Sequence, residues 1–152
     1  MLIHDSNKNC ETHQFRIIFQ NALNDNGNLF GGLVMQWMDE VAYITAIRFT
    51  RMRVVTVRVD KLKFLLAIKP GTMIEIIGTV GKVGHTQIEI PGEIFVESQD
   101  SDNREKAVEA TFTFAAINAD NKPIRIDKNK DKIESTALIQ KTTLAKAENI
   151  LT

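Results

Sequence analysis

The stretch NDNGNLFGGLVMQWMDE, residues 24 to 40, places a polar, glycine-containing loop directly before a long apolar helix signal. That signal opens on Gly31 and Gly32 and carries a carboxylate, Asp39, in its middle. A glycine in a helix interior costs about 1 kcal/mol relative to alanine. A half-buried carboxylate costs more unless something compensates it. The two glycines and Asp39 are therefore candidates for function.

The helix predicted over residues 30–48 has apolar side chains on nearly every side. These are Leu33, Val34, Met35, Trp37, Met38, Val41, Ala42, Ile44, Ala46 and Ile47. A helix that is hydrophobic all round is buried on most of its sides. Other elements of the chain must therefore wrap around it.

Five segments have the alternation and the β-branched or aromatic content of strands. They are residues 14–20, 53–66, 73–83, 86–97 and 106–117. The last four are joined by short turns, which predicts antiparallel pairing. We therefore expect an α+β fold in which a sheet of about five antiparallel strands surrounds one long central helix, with a further helix at about 133–150. Such a unit leaves edge strands and one helix flank uncovered, and dimerisation would cover both.

Two strand segments contain irregularities. Apolar side chains change phase within residues 53–66, and since strand side chains have period two, this predicts a bulge near Asp60 and Lys61. Pro91 and Gly92 interrupt residues 86–97, which predicts an edge position or a bulge there.

Length and composition indicate one soluble globular domain: 152 residues, 43% apolar, with 19 basic and 19 acidic side chains. The balanced charge argues against a nucleic-acid partner. The single Cys10 cannot form an internal disulfide and the sequence lacks the companions that a zinc site needs, so no metal is expected. Residues 1–13 contain no apolar run of signal-peptide length, and no stretch approaches the length of a membrane span, so a cytoplasmic location is predicted.

The domain organisation predicted is a mobile lead-in at 1–13, the globular domain at 14–126 and a C-terminal helical extension at 127–152.

The asparagine, glycines and aspartate of residues 24–40 resemble, in order and spacing, the signature of the hotdog-fold acyl-CoA thioesterases. Later blocks resemble the same family in the same order: VVTVRVDKLKF (54–64), KPG (69–71), VGHT (83–86) and ATFTFAAINADNKP (110–123). The resemblance covers about residues 14 to 123. It implies a hotdog fold and the hydrolysis of acyl-CoA to free fatty acid and coenzyme A, with no separate cofactor because coenzyme A is part of the substrate.

The opening stretch supplies candidates for the chemistry. Backbone N–H groups at a helix start have no intrahelical acceptors and lie at the positive end of the helix dipole, so Gly31 and Gly32 could form an oxyanion hole. The alternative is that these glycines only permit close packing. The resemblance implies that Asp39 is the general base or the nucleophile; the alternative is an ion pair with Arg48 or with a neighbouring chain. It also implies that Asn24 positions the water or bonds the thioester carbonyl, whereas asparagine in such a loop is commonly a turn former. Glu40 is a lesser candidate.

A second group of residues is a candidate site for the carrier. Lys82, Gly84, His85 and Thr86 lie in a turn where small residues expose backbone amides and lysine adds positive charge for a phosphate. The resemblance places this segment along coenzyme A, and Arg58 could reach the same ligand. The alternative for each is an ordinary solvated side chain.

The resemblance further implies that the asparagine and aspartate of one site come from different subunits of a homodimer; relatives often form hexamers as trimers of dimers. Two other functions remain open: a non-catalytic acyl-CoA-binding hotdog module, and a hotdog hydroxyacyl dehydratase. The second lacks a histidine in the predicted helix. A serine hydrolase is disfavoured because no G-x-S-x-G is present.

Overall fold

A computed structural model describes residues 10–126 of the protein. In chain order its elements are β1 (Glu11–Ile17), a 3₁₀ turn (Gln20–Ala22), α1 (Gly31–Thr50), β2 (Val54–Phe64), β3 (Met73–Thr79), β4 (Gln87–Glu97) and β5 (Arg104–Ala116). The predicted order of one strand, one long helix and four strands is confirmed. The first strand begins three residues earlier than predicted. The helix predicted at about 133–150 lies outside the described residues.

The five strands form one antiparallel sheet in the order β1-β3-β4-β5-β2, and α1 contacts all of them. Glycines in two central strands let the helix approach closely. A Cβ on Gly78 would lie 2.6 Å from Thr45 Oγ1, and one on Gly92 would lie 3.2 Å from Met38 Cε. The sheet therefore wraps around α1, as the predicted α+β hotdog fold requires.

The apolar face predicted for strand β5 is buried, and Thr113 and Ala115 of its opposite face are buried as well. The side chains of Val108, Ala110, Phe112, Phe114 and Ala116 are all buried. Phe114 lies beneath the helix, with its ring centroid 6.1 Å from that of Tyr43. Because strand side chains point alternately to opposite faces, the residues between these form the outer face of the sheet, away from α1.

The bulge predicted in β2 is present. The register of β2 against β5 slips between Thr56 and Arg58 and again between Asp60 and Lys63. Lys61 adopts φ +54°, a left-handed conformation for a non-glycine residue. The bulge re-aims the second half of the strand, which explains the phase change in its apolar pattern.

The prediction for Pro91 was wrong. Pro91 lies in β4, the central strand of the sheet, and pairs with Thr111 of β5 without a register slip; the only slip along β4 is at Ile94 and Phe95. Glu89 donates its amide toward the segment after β3, to Lys82 O, so the Pro91 nitrogen faces the same side two residues later. The β3–β4 ladder ends at the Gly78–Gly92 pair. The missing N–H therefore falls where that ladder has already stopped.

Apolar side chains remain exposed along the β2 edge and on one flank of α1. Val55, Val57 and Val59 of β2 and Tyr43 and Ile44 of α1 are all at least 39% exposed. The uncovered helix flank and open edge predicted from the sequence are therefore present in the single chain. Within residues 10–126, no helix combines the length and apolar content needed to cross a membrane.

Candidate active site

The start of α1 presents two unpaired amides. Phe30 is the N-cap, with extended backbone angles, and its carbonyl accepts from the amides of Leu33 (3.0 Å) and Val34 (3.2 Å). The amides of Gly31 and Gly32 have no hydrogen-bond acceptor within residues 10–126. These two donors therefore remain available to a ligand at the positive end of the helix dipole.

The two glycines differ in what surrounds them. A Cβ on Gly32 would lie 2.5 Å from Cε1 of the Phe30 ring, so packing against that ring requires a glycine or a shift of the ring. A Cβ on Gly31 would lie 3.6 Å from Phe64 Cζ, which is an ordinary van der Waals contact. Packing against Phe30 thus accounts for Gly32, whereas no side chain of residues 10–126 excludes a Cβ at Gly31.

Asn24 shapes the loop that leads to the helix. Its Oδ1 accepts from the backbone amides of Asn26 (3.0 Å) and Asn28 (3.2 Å). The turn-forming alternative is therefore observed. The side-chain nitrogen of Asn24 has no acceptor in the described part of the chain, so it remains free to donate to a ligand.

Asn24 and Gly31 share a cleft of about 380 Å³. The buried side chains of Leu29, Val34 and Ile68 line it, as does the Phe64 ring, which is 54% exposed. A cleft with apolar walls and a few polar groups at one side is typical of small-molecule sites. It can hold an apolar group next to the free amide of Gly31.

Asp39 is half-buried and is held by a strand residue. Thr56 Oγ1 of β2 donates a hydrogen bond to Asp39 Oδ1 at 3.0 Å, which leaves Oδ2 without a described partner. The alternative ion pair with Arg48 does not form, because Arg48 reaches β1 and donates to Glu11 O at 2.9 Å. Glu40 is exposed and accepts from Gln36 Nε2, in keeping with its lesser candidacy.

A single chain does not bring Asp39 and the free amides together. Asp39 lies eight residues beyond Gly31, which is about 12 Å along the helix axis. It does not belong to the lining of the cleft that holds Asn24 and Gly31. One protomer therefore supplies the two halves of the predicted site at separate places on the same helix.

The five residues predicted to hold the carrier do come together. Arg58, Lys82, Gly84, His85 and Thr86 line one cleft of about 390 Å³, whose other lining residues are Gln87, Glu89 and Thr113. Gln87, Glu89 and Thr113 alternate with residues buried beneath α1, so this cleft lies on the outer face of the sheet.

One detail of that turn differs from expectation. The Gly84 amide donates to Gln87 O at 2.8 Å and closes the turn, so it is unavailable to a phosphate. The amides of His85 and Thr86 have no acceptor within residues 10–126 and are the free donors of this segment.

Residues 26–102 match the sequence model of the Thioesterase superfamily, which is about half of the chain. The chain belongs to the thioesterase superfamily. This thioesterase is 33% identical over 126 residues to an uncharacterized acyl-CoA thioester hydrolase of Haemophilus influenzae, covering 80% of this chain and 82% of the relative. The predicted family and enzyme class, a thioester hydrolase, are confirmed.

Solved structures support the same placement. A hexameric thioesterase from Yersinia pestis has a TM-score of 0.69 to this thioesterase at 33% identity, covering 75% of this chain and 93% of that one. Two structures of an acyl-CoA hydrolase from Staphylococcus aureus, both at TM-score 0.73 and 25% identity, cover 92% of this chain and 89% and 90% of theirs.

The Staphylococcus aureus structures are alanine variants, one at an aspartate and one at a threonine 17 positions later. Thr56 follows Asp39 in this thioesterase by the same 17 positions. Thr56 was missed by the sequence analysis. The only signal for Thr56 in the sequence is a hydroxyl group within a valine-rich strand. That signal does not indicate that its hydrogen-bond partner lies on the helix.

Proposed function

We propose that this thioesterase hydrolyses acyl-CoA to a free fatty acid and coenzyme A. The observation that carries the proposal is the Asp39 carboxylate, half-buried in α1 and fixed through one oxygen by Thr56. The hydroxyl donor orients the carboxylate through one oxygen and leaves its other oxygen able to accept a proton. The family and the two unpaired glycine amides support the same activity.

The start of α1 would stabilise the transition state. As the thioester carbonyl is attacked, its oxygen gains negative charge. The amides of Gly31 and Gly32 would donate to that oxygen, with the helix dipole adding to the effect. The Asn24 side-chain nitrogen would donate to the carbonyl or to the water. The acyl chain would then occupy the apolar cleft beside Gly31.

Asp39 would activate the nucleophile. As general base, its free oxygen takes a proton from water while the water oxygen bonds to the carbonyl carbon. The tetrahedral intermediate then collapses, the carbon–sulfur bond breaks, and the proton passes to the departing thiolate of coenzyme A. In the alternative course, Asp39 attacks the carbonyl carbon, the carbon–sulfur bond breaks and coenzyme A leaves as the thiolate. Water then hydrolyses the resulting anhydride, which regenerates the Asp39 carboxylate and supplies the proton for the thiolate.

The 12 Å between Asp39 and Gly31 along one helix leads us to propose a composite site at a homodimer interface. Asp39 of one subunit would face Asn24 and Gly31 of the other. The exposed β2 edge and the helix flank around Tyr43 and Ile44 provide apolar surface for such an interface. Assembly of dimers into a hexamer, the state named for the Yersinia pestis relative, is part of the same proposal.

The outer-face cleft would hold the carrier. Arg58 and Lys82 supply positive charge, and the free amides of His85 and Thr86 supply donors for phosphate oxygens. The cytoplasmic location predicted from the sequence stays a prediction.

The proposal is tested by measuring release of free thiol from a panel of acyl-CoAs that differ in chain length. We expect hydrolysis by the wild-type protein and a loss of about 10²–10⁴-fold in kcat for Asp39→Ala, with a large loss also for Asn24→Ala. Binding of acyl-CoA without thiol release would instead identify a non-catalytic module. A rise in enoyl absorbance with a hydroxyacyl thioester would identify a dehydratase.

A further inference from the structure

Thr113 is buried in the central part of the sheet and its hydroxyl has no partner. The residue is 1% exposed, and Oγ1 makes no hydrogen bond within the described residues. Leaving a buried hydroxyl unsatisfied costs stability, and a threonine and a valine have nearly the same shape. The hydroxyl therefore has no evident role in the ligand-free chain.

The position of Thr113 is specific. It is the cross-strand partner of Arg58 on β2 and of Glu89 on β4, and all three line the outer-face cleft. Directly opposed residues of an antiparallel pair point to the same face. Arg58, Thr113 and Glu89 therefore form one row across three strands, with the threonine in the centre.

The two charged side chains of this row approach each other. Arg58 Nη2 lies 4.0 Å from Glu89 Oε1, although the two residues are on strands separated by β5. Because Thr113 pairs with both residues from the strand between them, this contact spans the Thr113 position. The contact is long, and Arg58 Nε is also held by Asp60 Oδ2 at 2.6 Å. The pair between Arg58 and Glu89 is thus the weaker of the two and the easier to open.

We propose that Thr113 is a binding residue for the phosphorylated adenosine end of coenzyme A, reached when the Arg58–Glu89 contact opens. This inference rests on the proposed function. The ligand's phosphates attract Arg58 and Lys82 at the rim of the cleft, and Arg58 turns from Glu89 toward them. The exposed Thr113 hydroxyl then hydrogen-bonds to a polar atom of the ligand. The cleft then offers the ligand the cations of Arg58 and Lys82 and the Thr113 hydroxyl, with the carboxylate of Glu89 at its other side.

The test compares Thr113→Val with wild type on two substrates that share an acyl group, acyl-CoA and acyl-pantetheine, which lacks the nucleotide. We expect KM for acyl-CoA to rise roughly tenfold, the loss of one hydrogen bond, with kcat unchanged. KM for acyl-pantetheine should not change. The thermal midpoint of the free protein should stay the same or rise.

Two variants complete the design. Thr113→Ser keeps the hydroxyl and should retain the wild-type KM for acyl-CoA. Thr111→Val is the matched control, since Thr111 lies on the same strand and the same face but lines a different cleft. It should leave KM for both substrates unchanged.

An unchanged KM for acyl-CoA in Thr113→Val, an equal rise for both substrates, or a lowered thermal midpoint would overturn the inference while leaving the proposed hydrolysis standing. If the wild-type protein releases no thiol from any acyl-CoA, the proposed function fails. Calorimetric titration with coenzyme A then decides the inference alone, which stands only if Thr113→Val binds about tenfold more weakly than wild type and Thr113→Ser.

Discussion

Thr56 Oγ1 and Asp39 Oδ1, 17 residues apart in sequence, are joined by a 3.0 Å hydrogen bond between the edge strand β2 and the middle of α1. The bond fixes the direction of a half-buried carboxylate without neutralising its charge. Because Thr56 lies before the β2 bulge, it points toward the helix, whereas Arg58 after the first register slip lines the outer face. The bulge therefore places Thr56 and Arg58, which are two residues apart, on opposite faces of the sheet.

Replacing Thr56 tests this relationship. We expect Thr56→Val to lower kcat about tenfold, because Asp39 loses the hydrogen bond that fixes its orientation, and Thr56→Ser to stay within about threefold of wild type. Steady-state thiol release with a saturating acyl-CoA measures the effect. Wild-type kcat in Thr56→Val would show that the hydrogen bond has no part in the reaction.

Gly31→Ala separates ligand approach from packing. Its Cβ would meet Phe64 at an ordinary contact distance, 3.6 Å, and alanine favours the helix, so we expect an unchanged or slightly higher thermal midpoint. The same methyl group would stand beside the free amide and keep the thioester oxygen away from it. We expect kcat to fall about 10²-fold, comparable to removing one oxyanion donor. A fully active variant would rule out the helix start as an oxyanion hole.

Arg51 offers a gain in stability. It ends α1 in the left-handed conformation, φ +52°, and its amide donates to Ile47 O at 2.7 Å. Glycine adopts this conformation without the strain of a side chain, so Arg51→Gly should raise the free energy of unfolding by about 1 kcal/mol. Arg53→Gly is the matched control, since it removes the same charge where φ is not positive and should give no gain. Urea unfolding followed by circular dichroism measures both.

His13 makes stability depend on pH. Hydrogen bonds from its ring to Glu11 and Glu75 raise the pKa of His13 above its ordinary value of 6.5, against the opposing effects of burial. Arg104, which pairs with Glu75 at 2.6 Å, also faces this cluster and competes for the same carboxylate. A pKa raised by folding means that the protonated ring stabilises the native state.

The stabilisation by His13 should be complete below about pH 6.5 and should disappear as the pH rises through the raised native value. The difference in unfolding free energy between wild type and His13→Gln, measured from pH 5 to 9, should therefore shrink with increasing pH. A difference that is constant over this range would show that protonation of His13 does not contribute.

The sequence determined the order of elements, because period-two and all-round apolar patterns reflect local backbone geometry. It also located the β2 bulge at Asp60 and Lys61. Because strand side chains have period two, a change of phase in the apolar pattern within one strand indicates a bulge. The prediction for Pro91 was wrong because a missing N–H removes a hydrogen bond only toward the neighbouring strand on the side where that N–H would point. That side depends on where the neighbouring β3 ladder ends, which no local pattern records.

The same division holds for the site. The resemblance of one stretch to a family signature made Asn24, Gly31, Gly32 and Asp39 candidates, and a single turn did the same for the group around Lys82; their roles stay predictions. Only the tertiary structure joined Thr56 to Asp39, set Thr113 between Arg58 and Glu89, and placed about 12 Å of helix between the free amides and the acid. These relationships depend on strand register and on the fixed rise of a helix, which bring together or hold apart residues regardless of their separation in the chain.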